Sequence, residues 1–311
     1  MDQNGNRQKL DLTVQRLFDF VSKRFPFFKY SNVASQIFRF LDKFVPLKLG
    51  FLKHKKGFKW KIDGWYSLWT YLTGCEPFTT KIVEEIVAGG TKNFICVGAN
   101  RGWYPLIVNQ IDEEISQYIF EPNPITFLTL QANLHRNSIN AQIFDSAISD
   151  FNGQSDLYSY LGINDGATTL FPSDPMNFQS RVVAKVQIKT LDTIFPEHFF
   201  PINSNPLLLI DIEGGEFRAL RGASSFIQEF NPILIFEVNS SMLISSGSSV
   251  EELFTLLSTL EYEIYWIHER GFLVKQNSTT PPVHQNELRK QDSTNYIAVK
   301  NGYNLSKWSV R

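Results

Sequence analysis

Three carboxylates crowd six residues in Asp211-Ile212-Glu213-Gly214-Gly215-Glu216, directly after the apolar run Leu207–Ile210. Like charges this close repel one another, and nothing in fold stability asks for the grouping. Such clusters mark places where a cation, a sulfonium or a transferable proton is handled. A strand repeat of two puts Asp211 and Glu213 on one side. Gly214 and Gly215 then break the strand and start a helix. Glu216 has two readings: it orients a substrate, or it simply interacts with the helix N-terminus. Glu237 follows the next apolar run, Ile233–Phe236, and either lines the same site or is capped at its edge.

A second grouping lies upstream. Val97-Gly98-Ala99-Asn100-Arg101-Gly102 follows the short apolar run Phe94–Val97. Glycines there permit a tight turn and close approach of backbone to a ligand. About 20 positions on stands Glu121, at the end of the run Gln117–Phe120. A carboxylate so placed accepts hydrogen bonds from both hydroxyls of a ribose. Pro122-Asn123-Pro124 turns the chain and fixes where that carboxylate points. The third run, Ala141–Phe144, ends in Asp145-Ser146-Ala147, within reach of an adenine across the strand ends.

A nicotinamide dinucleotide also suits this pair. The turn, however, lacks the third Gly that lets a helix pack close under a pyrophosphate. Gly102 is followed by the bulky Trp103-Tyr104-Pro105. S-adenosylmethionine has no phosphate to cradle, and its amino-acid end asks for polar groups such as Asn100. The residues therefore favour that cofactor.

Alternating apolar runs and helical stripes from about 91 onward place these groups on an α/β domain spanning 91–311. Strands read at 94–97, 117–120, 141–144, 207–210, 232–238, 262–267 and 296–299. Helices read at 125–137, 217–230 and 250–260. Residues 151–205 interrupt the rhythm as an insertion between the third and fourth core strands. Its polar loop, Gly162–Thr169, is a candidate for substrate contact. Residues 1–90 read as mainly helical, with stripes at Leu10, Val14, Leu17, Phe18 and Val21, and at Ile37, Phe38, Leu41, Phe44 and Val45.

The formal net charge is −1, which makes no case for nucleic acid. Residues 1–63 are nonetheless basic, with 14 Lys and Arg against 5 Asp and Glu. Either this is a solvated helical face, or it meets an anionic acceptor such as a lipid-linked glycan at a membrane surface. The two cysteines, Cys75 and Cys96, form no metal or redox motif. The five histidines stand at no metal-ligand spacing, so no metal ligand is assigned, and a metal at the Asp211–Glu216 cluster stays open. The polar N-terminus and the lack of a long apolar run suggest a cytoplasmic protein.

Taken in order, the motifs resemble those of the FkbM-type methyltransferases. The matching residues are Gly74-Cys75-Glu76-Pro77, Val97-Gly98-Ala99-Asn100 with Gly102, Phe120-Glu121-Pro122-Asn123-Pro124, Ala147-Ile148-Ser149-Asp150, Thr190-Leu191-Asp192, Asp211-Ile212-Glu213-Gly214 with Glu216, Leu220-Arg221-Gly222, and Phe236-Glu237-Val238. The resemblance implies a seven-stranded Rossmann-like sheet with flanking helices, behind a helical N-terminal region. It implies S-adenosylmethionine as methyl donor and a hydroxyl on a sugar, glycan or natural product as acceptor. Gly98, Asn100 and Gly102 would hold the methionine end, Glu121 the ribose, and Asp145, Ser146 and Ala147 the adenine, with Asn123 and Asp211 nearby. Glu213 or Asp211 would act as base, with Glu76 or Glu216 orienting the acceptor. The family carries Asp directly before Val97, where this chain has Cys96. That departure leaves a non-catalytic binding protein as a second reading, beside a nicotinamide-dependent oxidoreductase.

Overall fold

The computed structural model describes residues 49–160, 168–172, 180–202, 204–268, 270–276 and 294–310. The helical stripes at 10–21 and 37–45, and the loop core 161–167, lie outside them. Among the described residues, no helix is long and apolar enough to cross a membrane.

Residues 49–64 correct the helical expectation for this stretch. β1 (Gly50–Lys53) and β2 (Lys59–Ile62) pair as an antiparallel hairpin. Phe58, Trp60 and Ile62 are buried, while Lys59 is exposed. That is a strand period, hidden in the sequence by the density of Lys. Two helices follow, α1 (Trp65–Thr73) and α2 (Pro77–Ala88).

The main body then alternates. β3 (Asn93–Val97), α3 (Trp103–Ile111), β4 (Ser116–Phe120), α4 (Pro124–Arg136) and β5 (Gln142–Phe144) build one half. The chain next leaves for a separate four-stranded sheet of β6 (Ser146–Ile148), β7 (Gly153–Tyr160), β8 (Thr168–Thr169) and β9 (Ser180–Lys189), in the order β6-β9-β7-β8. After the short α5 (Leu191–Ile194) come β10 (Leu207–Ile210), α6 (Glu216–Arg221), α7 (Ser224–Phe230), β11 (Ile233–Val238), α8 (Ser240–Ser245), α9 (Val250–Thr259), β12 (Tyr262–Ile267), β13 (Leu273–Gln276) and β14 (Thr294–Lys300).

The main sheet runs β13-β12-β14-β11-β10-β3-β4-β5. β11, β10, β3, β4 and β5 are mutually parallel, and β14 enters antiparallel beside β11. Eight strands stand where seven were expected. The addition is β13, a short hairpin partner of β12 whose Leu273-Val274-Lys275-Gln276 carries too little pattern to be read. The helix expected at 217–230 is two helices. They meet at Gly222, where an added Cβ would lie 2.1 Å from the Ser149 carbonyl oxygen. Only glycine lets the corner pack against the end of β6.

Alternate residues of the central strands feed two cores. Phe94, Cys96, Ile119, Leu207 and Leu209 face α2 and α3. Ile95, Val97, Phe120, Leu208 and Ile210 face α6, α7 and α9. With both faces covered, the strands read as unbroken apolar runs.

Candidate functional site

From β3 the chain winds outward to β4 and β5, then returns to the other side of β3 as β10. The carboxyl ends of β3 and β10 thus form a topological switch point, where open α/β sheets hold ligands. Backbone bonds lace these ends together. Gly98 and Ala99 N–H donate to the Phe120 carbonyl at 3.0 and 2.9 Å, and Asp211 N–H donates to the Val97 carbonyl at 3.0 Å. A crevice opens above them.

Gly98, with φ +83°, forms the floor. A Cβ there would sit 1.8 Å from the Asp211 carbonyl oxygen, so β3 and β10 approach this closely only across glycine. Glu121 forms one wall and is 5% exposed. One carboxyl oxygen accepts the Asn100 N–H and the other the Asn123 N–H, each at 2.8 Å. Burial raises the group from 4.5 to about 7, against the pull of those two bonds and of Arg101. Each oxygen retains a lone pair for a further donor. Beyond Glu121 lie Ser146 and Ala147. Ser146 Oγ is buried with no hydrogen-bond partner.

The opposite wall is acidic. Asp211, Glu213 and Glu237 each offer a carboxyl oxygen, and these oxygens all lie within 4.8 Å of one another. Burial raises Asp211 well above the carboxylate range, and Glu237, Glu76 and Glu216 push it further. The oxygen-only ligands of this trio are of the kind a hard divalent cation takes. Glu237, left open between two readings, meets Asp211 and Glu213 there but is not among the residues that line the crevice. Glu213 adopts φ +56°, and Thr169 Oγ1 donates to its carbonyl at 3.1 Å. Thr168, Thr169, Leu170 and Phe171 close the crevice from the insertion's side.

Of the residues singled out in the sequence, Gly98, Asn100, Glu121, Ser146, Ala147, Asp211 and Glu213 line this crevice together. Five others do not. Gly102 starts α3, with φ +90°. Asn123 caps α4 by accepting the Ile125 N–H at 3.0 Å. Asp145 points outward and is exposed. Glu76 starts α2 and accepts the Tyr104 hydroxyl. Glu216 is 1% exposed, and one oxygen accepts the Ile212 and Gly214 N–H groups at 3.1 and 3.3 Å. Glu216 therefore braces the loop that carries Asp211 and Glu213. Tyr66 and Phe171 were missed. Aromatic residues on distant segments carry no spacing signal, and only folding brings them to the crevice.

Residues 97–273 match the methyltransferase FkbM domain family. No curated protein matches the sequence. Among solved structures, a precorrin-6y C5,15-methyltransferase from Geobacter metallireducens shares 8% identity at a TM-score of 0.34, covering 70% of this chain and 87% of that one. A SAM-dependent O-methyltransferase from Thermotoga maritima shares 9% identity at a TM-score of 0.36, covering 74% of this chain and 67% of that one.

Proposed function

The chain belongs to the FkbM methyltransferase family, and from that premise we propose that it transfers a methyl group from S-adenosylmethionine to a hydroxyl of a sugar, glycan or natural-product acceptor. The observation that carries the reading is the acidic lining of the crevice. Its charged lining, among the described residues, is Glu121, Asp211 and Glu213, with no Lys, Arg or His. A bound cation favours the ionised forms of Glu121 and Asp211, and a phosphate disfavours them. A sulfonium donor suits this lining, and the pyrophosphate of a nicotinamide dinucleotide does not. The unpartnered Ser146 Oγ supports the fit, because a nucleoside base would satisfy it.

In this reading Glu121 takes the ribose hydroxyls through its two free lone pairs. The Gly98 backbone and the Asn100 side chain meet the amino-acid end. Ser146 and Ala147 border the base. Gly102 and Asn123 act through the turn and the helix they start. When bound, the donor supplies a methyl carbon made electrophilic by the sulfonium. Asp211 and Glu213 stand where an acceptor hydroxyl would lose its proton, and one of them takes it. Glu216 holds their loop rigid, so orientation is prepared before binding.

Calorimetry with S-adenosylmethionine, S-adenosylhomocysteine and NAD tests the reading. Binding of the first two and no heat from NAD is the expected result. Absence of heat from both sulfur ligands, or NAD binding in their place, would overturn it.

A further inference from the structure

Arg101 sits in the middle of the glycine turn, yet its guanidinium points away from the crevice and is 5% exposed. Its Nε donates to Asp63 Oδ1 at 3.0 Å, and Nη1 to Asn100 Oδ1 at 3.3 Å. Its carbonyl accepts the Asn133 Nδ2 at 2.8 Å. Asp63 follows the hairpin directly and lies outside the family-matched segment. Its second oxygen accepts the Thr129 hydroxyl of α4 at 2.7 Å, and its N–H donates to Ser67 Oγ at 3.0 Å. Asn133 Oδ1 accepts the Lys61 N–H at 2.9 Å. Burial alone would push Asp63 up, but the Arg101 guanidinium and the Thr129 hydroxyl hold it below its ordinary value.

One continuous chain of bonds therefore runs from Asp63 through Arg101 and Asn100 to Glu121. Its last two members line the crevice, as does Tyr66, over whose ring the Arg101 guanidinium lies at 5.6 Å. We propose that the hairpin and the start of α1 form a clamp on the methyl-donor turn, with Asp63 and Arg101 as positioning residues that fix Asn100 for binding. The inference rests on the function proposed above for the crevice. It adds that donor affinity is set partly by a segment the family match does not include.

A partly buried pair of this kind loses its Coulombic and geometric hold when one charge is removed. Asn100 Oδ1 then keeps the Arg101 N–H at 2.8 Å but loses the fixed guanidinium at 3.3 Å, and the turn loses preorganisation. In the full chain, Asp63→Asn should weaken S-adenosylmethionine binding by about tenfold, the scale of one charge-assisted hydrogen bond. Asp63→Glu should restore part of the loss. Asn137→Ala is the control. It removes two bonds between α4 and the far end of the hairpin, the Lys59 N–H and carbonyl contacts at 2.7 Å, with one to the Asn133 carbonyl within α4, and leaves Asp63 and both Asn133 side-chain bonds in place. It should lower the melting temperature and leave donor affinity at the wild-type value.

A second measurement needs no ligand. Hydrogen exchange of the 98–102 amides in the free protein should speed up in Asp63→Asn and not in Asn137→Ala. If the wild type binds no S-adenosylmethionine, the functional reading fails, and exchange still judges the clamp. Wild-type exchange at 98–102 in Asp63→Asn, or equal effects of the two variants, would overturn the clamp.

Discussion

Replacing Glu121 by Gln separates what this residue does for a ligand from what it does for the turn. The carboxylate takes two backbone N–H groups, one on each oxygen, at 2.8 Å. Gln offers one oxygen and one NH₂, so in either orientation a backbone N–H faces another donor. That loss costs about 2 kcal/mol. Against it stands relief of buried charge. Burial moves Glu121 from 4.5 to about 7. Holding it ionised above that range therefore costs about 3 kcal/mol relative to the unfolded chain. The two effects oppose each other at pH 8, and stability there should change little.

The sign of the pH dependence follows. Between 4.5 and about 7 the folded state keeps a proton that the unfolded state releases. This contribution to stability is complete below 4.5 and is lost as pH rises through 7. Glu121→Gln removes it. Methyl-donor binding runs the other way, because the ionised group is the better acceptor for two hydroxyls. Wild-type affinity should rise with pH up to about 7, with proton release on binding below that. The variant should bind about 10–100-fold more weakly at pH 8, the range expected for losing one charge-assisted hydrogen bond. It should also release one proton fewer at pH 6. Calorimetry in buffers of different ionisation enthalpy measures both quantities. Unchanged affinity at pH 8, or the same proton count in both proteins, would refute the reasoning.

Gly98→Ala should destabilise the fold by about 3 kcal/mol and abolish methyl-donor binding, since its Cβ would meet the Asp211 carbonyl oxygen at 1.8 Å and its φ is +83°; an unchanged urea midpoint contradicts this. Burial also raises Glu216 to about 7, so it too lends stability that is lost as pH rises from 4.5 through 7. Glu216→Gln should narrow the difference in denaturant midpoint between pH 5 and pH 8, with the pH 5 value the higher in wild type. Glu213→Gln should lower turnover on an acceptor by about 100-fold or more while changing the methyl-donor KM far less; an equal change in both parameters would assign Glu213 to binding instead.

The crevice was legible because its parts are local in sequence. Gly98, Glu121 and Asp211 each end a strand, and a strand end read from an apolar run places its next residue at the sheet's carboxyl edge. Helix ends confused the reading. Asn123 and Glu216 are polar residues next to ligand-like motifs; Asn123 spends its oxygen, and Glu216 one of its two, on backbone N–H groups of their own turns. Asp63 and Arg101 went unread because their pairing spans 38 residues and two segments. The hairpin at 50–62 was hidden for a different reason. Its exposed positions carry Lys, whose long stems cover apolar neighbours and blur the alternation.

Cys96 stands where the resemblance read from the sequence implies an Asp, and the structure gives that position a physical setting. The thiol is fully buried in β3, and burial, then Asp211 and Glu121, push it up. A carboxylate at this position would stand within the field of both acids, in a site that already holds Asp211 far above its ordinary value. A further ion would then protonate or demand a partner, and no basic group lines the crevice among the described residues. A neutral thiol avoids that competition. It leaves Glu121 on one wall and Asp211 with Glu213 on the other as the acids that meet a cation. In this arrangement the acids are strained when the crevice is empty of positive charge and relieved when it arrives. The stability they withhold from the free protein is returned on binding.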